Sequence, residues 1–328
     1  MSEPDSTTGS AALVGNPPVP NTTPRGTRGP SPRAGGGRSE LVRRVAFAVV
    51  AAPVTILLIR AGGVPLAVLL ASASGVAAWE LYRMSRVGGG APIEWLGVPL
   101  AVLLPLLVAE EPRGVFEFPP TLIAASLVVV LGASIWVRGS AGRPLSTVGV
   151  TLFGAWYTGG MLSFAEAIRY HRFVADDAGG TVLLLLPVFL TWANDIGAYV
   201  IGRLVGGRKL APSVSPGKTI AGAVGGLLAT GVACAIYVRS VLQPVAQLTM
   251  SPRNLIVFAI VVCAAGQVGD LAESLLKREA GVKDSSGIFP GHGGVLDRID
   301  SLLFALPVAC ILFAVPGLLL PVPGGAVR

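Results

Sequence analysis

Carboxylates and cations crowd into one short stretch near the end of an otherwise apolar chain. Between Ser274 and Asp300 stand Lys277, Arg278, Lys283, Asp284, His292, Asp297, Arg298 and Asp300, and Asp270 lies just upstream inside an apolar run. Charge beside or within a bilayer is costly, so such a cluster reads first as a functional site. Its chemistry is two-sided. Grouped carboxylates can hold Mg²⁺, and grouped cations can hold phosphate. If the segment before the cluster is helical, Asp270, Ser274 and Lys277 share one face at i, i+4 and i+7. Asp297 and Asp300, at i and i+3, project to one side of the following helix. Gly293 and Gly294 precede that helix and permit close backbone approach to a ligand. Its N-terminus offers free N–H groups and a partial positive charge, a natural place for phosphate. Two carboxylates so close repel each other unless a cation sits between them. His292, flanked by glycines in PGHGG, is a further candidate by position.

A second polar loop spans 202–222, GRLVGGRKLAPSVSPGKTIAG. Asp195 precedes it within an apolar run, where an isolated Asp needs a partner or a bound ion. Pro216-Gly217 suits a tight turn. Gly217-Lys218-Thr219 looks like the end of a phosphate-binding P-loop. The full GxxxxGK[ST] pattern would need glycine at position 212, where Pro212 stands, and no predicted strand precedes it. A Walker-type nucleotidase is thereby rejected. Lys218, Arg208 and Lys209 stay as candidates for phosphate contact. His171 reads as a solvated loop residue. No Ser-His-Asp arrangement or GxSxG elbow is present.

The elements that must position these groups are membrane helices. Hydrophobic residues make up 52% of the 328, charged residues 13%, and the mean hydropathy is +0.70. A soluble domain carries about 25% charged residues. The net charge of +7 lies in loops between apolar runs, which is how topology is set and not how nucleic acid is bound. Cys234, Cys263 and Cys310 stand singly in apolar runs, so no disulfide framework or metal spacing is expected. The first 38 residues, rich in Pro, Gly, Ser and Thr, cannot bury enough surface to offset their ordering entropy and read as a disordered cytoplasmic tail. No signal peptide is expected.

Residues 39–328 then form one transmembrane domain. Nine apolar segments lie near 42–59, 62–80, 94–109, 119–137, 145–168, 180–201, 219–238, 254–276 and 300–320. With the N-terminus inside, 18 of the 25 Lys and Arg fall on the cytoplasmic side and 7 on the other. The expectation is an all-α polytopic membrane protein with about nine transmembrane helices, N-terminus cytoplasmic and C-terminus outside. Both polar loops then face the cytoplasm, where nucleotides are.

Gly269 to Ser301, GDLAESLLKREAGVKDSSGIFPGHGGVLDRIDS, closely resembles the signature of phosphatidate cytidylyltransferases, also called CDP-diacylglycerol synthases. The resemblance is carried by Ser274, Lys277-Arg278, Lys283-Asp284, Pro290 to Gly294, Leu296 to Arg298, and Asp300. Asp195, Ala198-Tyr199, Gly202, Ser215-Pro216 and Lys218-Thr219 extend it upstream, and Trp79-Glu80 is a match in the first half. Ala221 and Gly217 depart from the usual loop, where Glu and a second Lys are common.

The resemblance implies transfer of the cytidylyl group of CTP to phosphatidic acid, giving CDP-diacylglycerol and pyrophosphate at a cell (plasma or inner) membrane. It implies Mg²⁺ or another divalent cation on Asp270, Asp297 and Asp300, directly or through water, with a second cation as an option. Lys277, Arg278, Lys283 and Arg298 would grip phosphates, and Asp284 would orient a cation or nucleotide. His292 joins them as a catalytic candidate. Ser215, Lys218, Thr219, Ser274, Gly293 and Gly294 would contact substrate, and Asp195 is an intramembrane carboxylate of open role. A homodimer is expected by resemblance alone. The alternative from another class is a cation-coupled secondary transporter using Asp195, Asp270 and Glu273. A CDP-alcohol phosphotransferase is excluded by the absence of its DGxxAR…GxxxDxxxD signature.

Overall fold

A computed structural model describes residues 37–109, 120–289 and 293–322. In chain order, α1 is Gly37–Ala61, α2 Gly63–Val87, α3 Glu94–Ala109, α4 Pro120–Val137 and α5 Pro144–Ala155. A π-helical turn, Trp156–Gly160, leads to α6 (Phe164–Arg169) and then the long α7 (Asp177–Val205). A small hairpin follows, β1 Lys209–Ala211 against β2 Ser215–Thr219, before α8 (Ile220–Tyr237). A second π turn, Val238–Leu242, runs into α9 (Gln243–Ala246) and β3 (Leu248–Thr249). The chain ends with α10 (Pro252–Glu279), α11 (Leu296–Ala314) and β4 (Leu320–Pro321), which pairs with β3.

Local sequence sets the helix ends. Asp176 caps α7 by accepting from the Gly179 N–H at 2.7 Å, and Gly206, at φ 64°, stops it. Ser251 caps α10, with Pro252 at its first position, where a missing N–H costs nothing. Thr219 ends the hairpin and caps α8 in one residue, its hydroxyl accepting from the Gly222 N–H at 3.0 Å.

Among the described residues, five helical stretches are long and apolar enough to cross a membrane: Gly63–Val87, Pro120–Val137, Asp177–Val205, Ile220–Ala246 and Pro252–Glu279. The chain is therefore a multi-pass, mainly helical membrane protein. The other four expected segments fall on shorter, broken or charge-bearing helices. The helix α3 is short, α5 and α6 are separated by the π turn, and α1 and α11 open on charged stretches of sequence. Of the expected tail, 1–38, residues 37 and 38 already belong to α1, and the rest lies outside the described residues.

The core gathers Leu183, Leu186 and Leu190 of α7 with Phe258 of α10 and Phe313 of α11, whose rings stack 5.0 Å apart. Small residues let α7 and α8 approach closely, as membrane helices do. A Cβ on Gly225 would sit 2.3 Å from Ile201 Cβ. Cys234, Cys263 and Cys310 are buried free thiols, as expected.

Three local readings change. Pro216-Gly217 does not make the turn. It lies in β2, and the turn is Pro212–Val214, closed by the Val214 N–H on Ala211 O at 3.2 Å. Proline is tolerated there because a two-stranded hairpin has only edge strands. Arg169, counted as a loop charge, is 1% exposed; it donates to Ile59 O and Arg60 O and pairs with Asp177. It staples α1 to the start of α7. His171 is half-buried, with Phe173 and Phe313 at 5.1 and 6.2 Å; burial, and then Arg172, lower its pKa to about 4.

Candidate active site

The hairpin, α7, α8 and α10 enclose a cavity of about 550 Å³ lined by Asn194, Asp195, Lys218, Thr219, Gln267 and Asp270, among others. Lys218 Nζ lies 2.5 Å from Asp270 Oδ2. Beneath them is an amide network. Asn194 Nδ2 donates to Asp195 Oδ1 at 3.2 Å, and Asn194 Oδ1 accepts from Gln267 Nε2 at 2.9 Å and Cys263 Sγ at 3.2 Å. Gln267 Nε2 also reaches Ala223 O at 3.0 Å. Asp195 is thus oriented from α8 and α10 as well as from its own helix. The network needs Gly226, where a Cβ would fall 2.3 Å from Asn194 Oδ1.

A second cluster is built on the signature loop. Lys277 Nζ donates to Asp297 Oδ1 at 2.7 Å and pairs with Glu273 one turn back on α10. Asp297 Oδ2 accepts from the Ser285 N–H at 3.0 Å, Ser285 Oγ at 2.8 Å and the Gly294 N–H at 2.7 Å. Glu80, fully buried on α2, completes the frame. It accepts from Ser286 Oγ at 2.5 Å and from the Val295 and Leu296 N–H groups at 3.0 and 2.8 Å, and its Oε2 lies 3.1 Å from Ser285 Oγ, whose one proton it shares with Asp297.

Asp300 stands on α11 where that helix packs closely on α10: a Cβ on Gly269 would lie 2.6 Å from the Asp300 carbonyl oxygen. Its Oδ1 accepts from the Ser301 N–H at 2.6 Å, and Asp270, Lys277 and Asp195 are within electrostatic reach of it. Tyr157, in the π turn, is within electrostatic reach of Glu273 and Asp300. Such turns within helices recur at functional sites.

The expected residues separate accordingly. Asp195, Lys218, Thr219 and Asp270 line the cavity, while Lys277, Asp297 and Gly294 frame the loop. Ser274 is buried on the continuous α10 between Asp270 and Lys277, as the shared-face spacing requires. Ser215 opens β2. Arg278 gives Nε to Val214 O at 3.2 Å and Nη1 to Val282 O at 3.1 Å, tying the hairpin turn to the end of α10. Lys283, Asp284 and Arg298 are exposed. His292 lies outside the described residues.

One expectation is narrowed. Much of the N-terminus of α11 is occupied by protein. Its Val295 and Leu296 N–H groups are taken by Glu80, and the Gly294 N–H by Asp297. Gly294 does permit close approach, but to protein: a Cβ there would meet Ser285 Oγ at 2.1 Å and Glu80 Oε1 at 2.2 Å. Gly293 is needed for its φ of 77°.

A metal at Asp297 would have to displace protein donors from both oxygens. Among the described residues, no three His, Cys, Asp or Glu side chains gather tightly enough to hold a metal unaided. Mg²⁺ seldom asks for that, because it takes one or two carboxylates and fills its shell with water and substrate phosphates. The hard oxygens of Asp195 and Asp270 on the cavity wall, with Asp300 close by, fit such an ion.

Glu80, Asn194, Gln267 and Tyr157 carry no site role in the sequence reading. Each is a polar group inside an apolar run, and Gln267 stands one turn before Asp270. That was the available signal.

The sequence of residues 42–315 matches the model of the cytidylyltransferase family. A phosphatidate cytidylyltransferase of Bacillus subtilis is 32% identical over 278 residues, 84% of this chain and 98% of that protein. One from Staphylococcus epidermidis is 34% identical over 275 residues, covering 82% and 97%. One from Haemophilus influenzae is 46% identical over 143 residues, covering 43% and 48%.

Proposed function

The chain belongs to the cytidylyltransferase family, and from that premise we propose how its two clusters divide the work. The reaction is transfer of the cytidylyl group of CTP to phosphatidic acid, giving CDP-diacylglycerol and pyrophosphate. The observation that carries the assignment of the site is the cavity itself, with Lys218 on Asp270 and Asp195 beside them. The carrier alternative gives way to the family.

The nucleophile is a phosphate oxygen of phosphatidic acid. A phosphate monoester has its second pKa near ~6, so it is largely ionised at neutral pH and needs no strong base. The difficulty is to bring two polyanions together. Lys218 is placed to exchange Asp270 for a phosphate oxygen. Lys277, held by Glu273 and Asp297, is a fixed positive charge that spends no entropy on being ordered at the moment of reaction. Lys283, exposed on the loop, would meet incoming phosphate, and Arg298, exposed at the start of α11, adds positive charge beside it. Asp270, Asp300 and Asp195 would hold the divalent cation, and Asp297 acts beside them by keeping Lys277 and the loop in register. When bound, that cation neutralises charge on the phosphates.

The same reading places the N-terminus and the cavity on the cytoplasmic side of a plasma or inner membrane, in a chain crossing nine times. It is supported by the excess of Lys and Arg in the loops assigned there. Purified protein given labelled CTP, phosphatidic acid and Mg²⁺ should form CDP-diacylglycerol. No product with any divalent cation rejects the reaction, and full activity in excess EDTA rejects the metal.

A further inference from the structure

Glu80 is a carboxylate with no solvent exposure, and all of its described contacts are to one loop that lies more than 200 residues away in sequence. It sits on α2, in the half of the chain that otherwise supplies little to the site. Its polar partners come from the two feet of the signature loop. Ser285 and Ser286 stand where the loop leaves α10, and Val295 and Leu296 where it enters α11. One carboxylate therefore closes the loop at both ends. Its charge also meets the positive end of α11, which further favours it there.

The contact passes inward. Ser285 Oγ is within hydrogen-bond distance of both Glu80 Oε2, at 3.1 Å, and Asp297 Oδ2, at 2.8 Å. Asp297 holds Lys277, and Lys277 holds Glu273. A chain of hydrogen bonds and an ion pair thus runs from α2 through the loop to Lys277 on α10. We propose that Glu80 is a positioning residue for the transfer reaction: it touches no reacting atom, but fixes the loop so that Asp297 and Lys277 stand at their working separation.

The reasoning rests on the assignment of Lys277 to the site, so the test must separate the two. Glu80→Gln keeps the shape but replaces one acceptor oxygen by an NH₂. That group would face a backbone N–H or a serine hydroxyl that needs an acceptor. Ser286→Ala is the milder companion, removing one donor and leaving the carboxylate its two backbone N–H groups and its contact with Ser285. Misplacement of about 1 Å costs on the order of 10²-fold in rate. Glu80→Gln should therefore lower kcat about 10²-fold with KM for CTP changed far less, and Ser286→Ala should lower kcat less, in the same direction.

The decisive comparison is made in an Asp297→Asn background. If Glu80 works through Asp297, adding Glu80→Gln there costs little more. Losses that multiply in full would show a general structural role and overturn the proposal. A second readout is independent of activity. Amide hydrogen exchange across 285–296 should accelerate in Glu80→Gln, while the hairpin at 209–219 stays as protected as before. Unchanged exchange in the loop overturns the proposal even if the wild-type protein proves to catalyse something else. A faster-exchanging loop with unaltered kcat would instead remove the loop from the rate and overturn it by that route.

Discussion

Lys218 Nζ on β2 lies 2.5 Å from Asp270 Oδ2 in the middle of α10, so a cation and a carboxylate wanted by two different ligands neutralise each other across the cavity. Both side chains are about one-third exposed, 29% and 31%, so the pair can open without a large desolvation change. On the proposed reading, an arriving nucleotide would compete with Asp270 for Lys218, and an arriving divalent cation would compete with Lys218 for Asp270. A metal–nucleotide complex would satisfy both and replace the pair.

Two substitutions separate these roles. Lys218→Ala removes a phosphate contact and should raise KM for CTP by about tenfold or more, with a smaller effect on kcat. Asp270→Asn removes a metal carboxylate and should lower kcat on the order of 10²-fold or more, with little recovery at high Mg²⁺. Steady-state kinetics over CTP and Mg²⁺ concentrations decides. An unchanged KM in Lys218→Ala takes this lysine out of nucleotide binding.

Asp297 and Lys283 make a second contrast within one loop–helix unit. Asp297 is wrapped by Lys277, Ser285 and Gly294, whereas Lys283 is exposed. Asp297→Asn would turn an NH₂ toward donors and release Lys277. Activity should fall on the order of 10²-fold, to a level still measurable, and added Mg²⁺ should not restore it. Lys283→Ala leaves the frame intact and should show mainly as a raised KM for CTP or phosphatidic acid. Near wild-type turnover in Asp297→Asn would free the loop of any dependence on this carboxylate.

Topology is open to a direct measurement. Single cysteines near Pro212 and near Val327, in a background lacking Cys234, Cys263 and Cys310, should react with an impermeant reagent from opposite sides of the membrane. The charge asymmetry of the loops is the motive. Labelling of both from one side refutes an odd number of crossings.

Much of the site was legible because its residues are charges in the wrong solvent. Asp270, Lys277, Asp297 and Asp300 stand out against apolar neighbours, and their helical spacing correctly put Asp270, Ser274 and Lys277 along one helix. What the spacing could not show is who answers whom. The N–H groups of α11 looked available for phosphate because their partner, Glu80, comes from another helix more than 200 residues earlier. Pro216-Gly217 carried turn chemistry, yet the hairpin register, Lys209 opposite Thr219 and Ala211 opposite Ser215, moved the turn to Pro212–Val214. Asn194 and Gln267 were invisible for the same reason as Glu80. An amide in a membrane helix announces that it needs a partner, but not which helix supplies it.

The last prediction concerns the seam between α10 and α11. Asp270 and Asp300 can interact because Gly269 lets the two helices close: an added Cβ would lie 2.6 Å from the Asp300 carbonyl oxygen and 3.1 Å from Phe304 Cδ2. The nearer atom is backbone, which cannot swing aside, so Gly269→Ala must part the helices. Overpacking of this kind costs ~1–3 kcal/mol. The larger effect should be on rate, since it shifts Asp300 away from Asp270 and from the cavity. We expect activity to fall at least about tenfold, with a raised Mg²⁺ requirement and a modest loss of thermal stability. Gly231→Ala on α8 is the control. A Cβ there meets nothing within 4 Å, so that variant should keep activity within about two-fold and be no less stable than the parent. Gly269→Ala with unaltered Mg²⁺ dependence and turnover would show that the spacing of Asp270 and Asp300 is not what the reaction depends on.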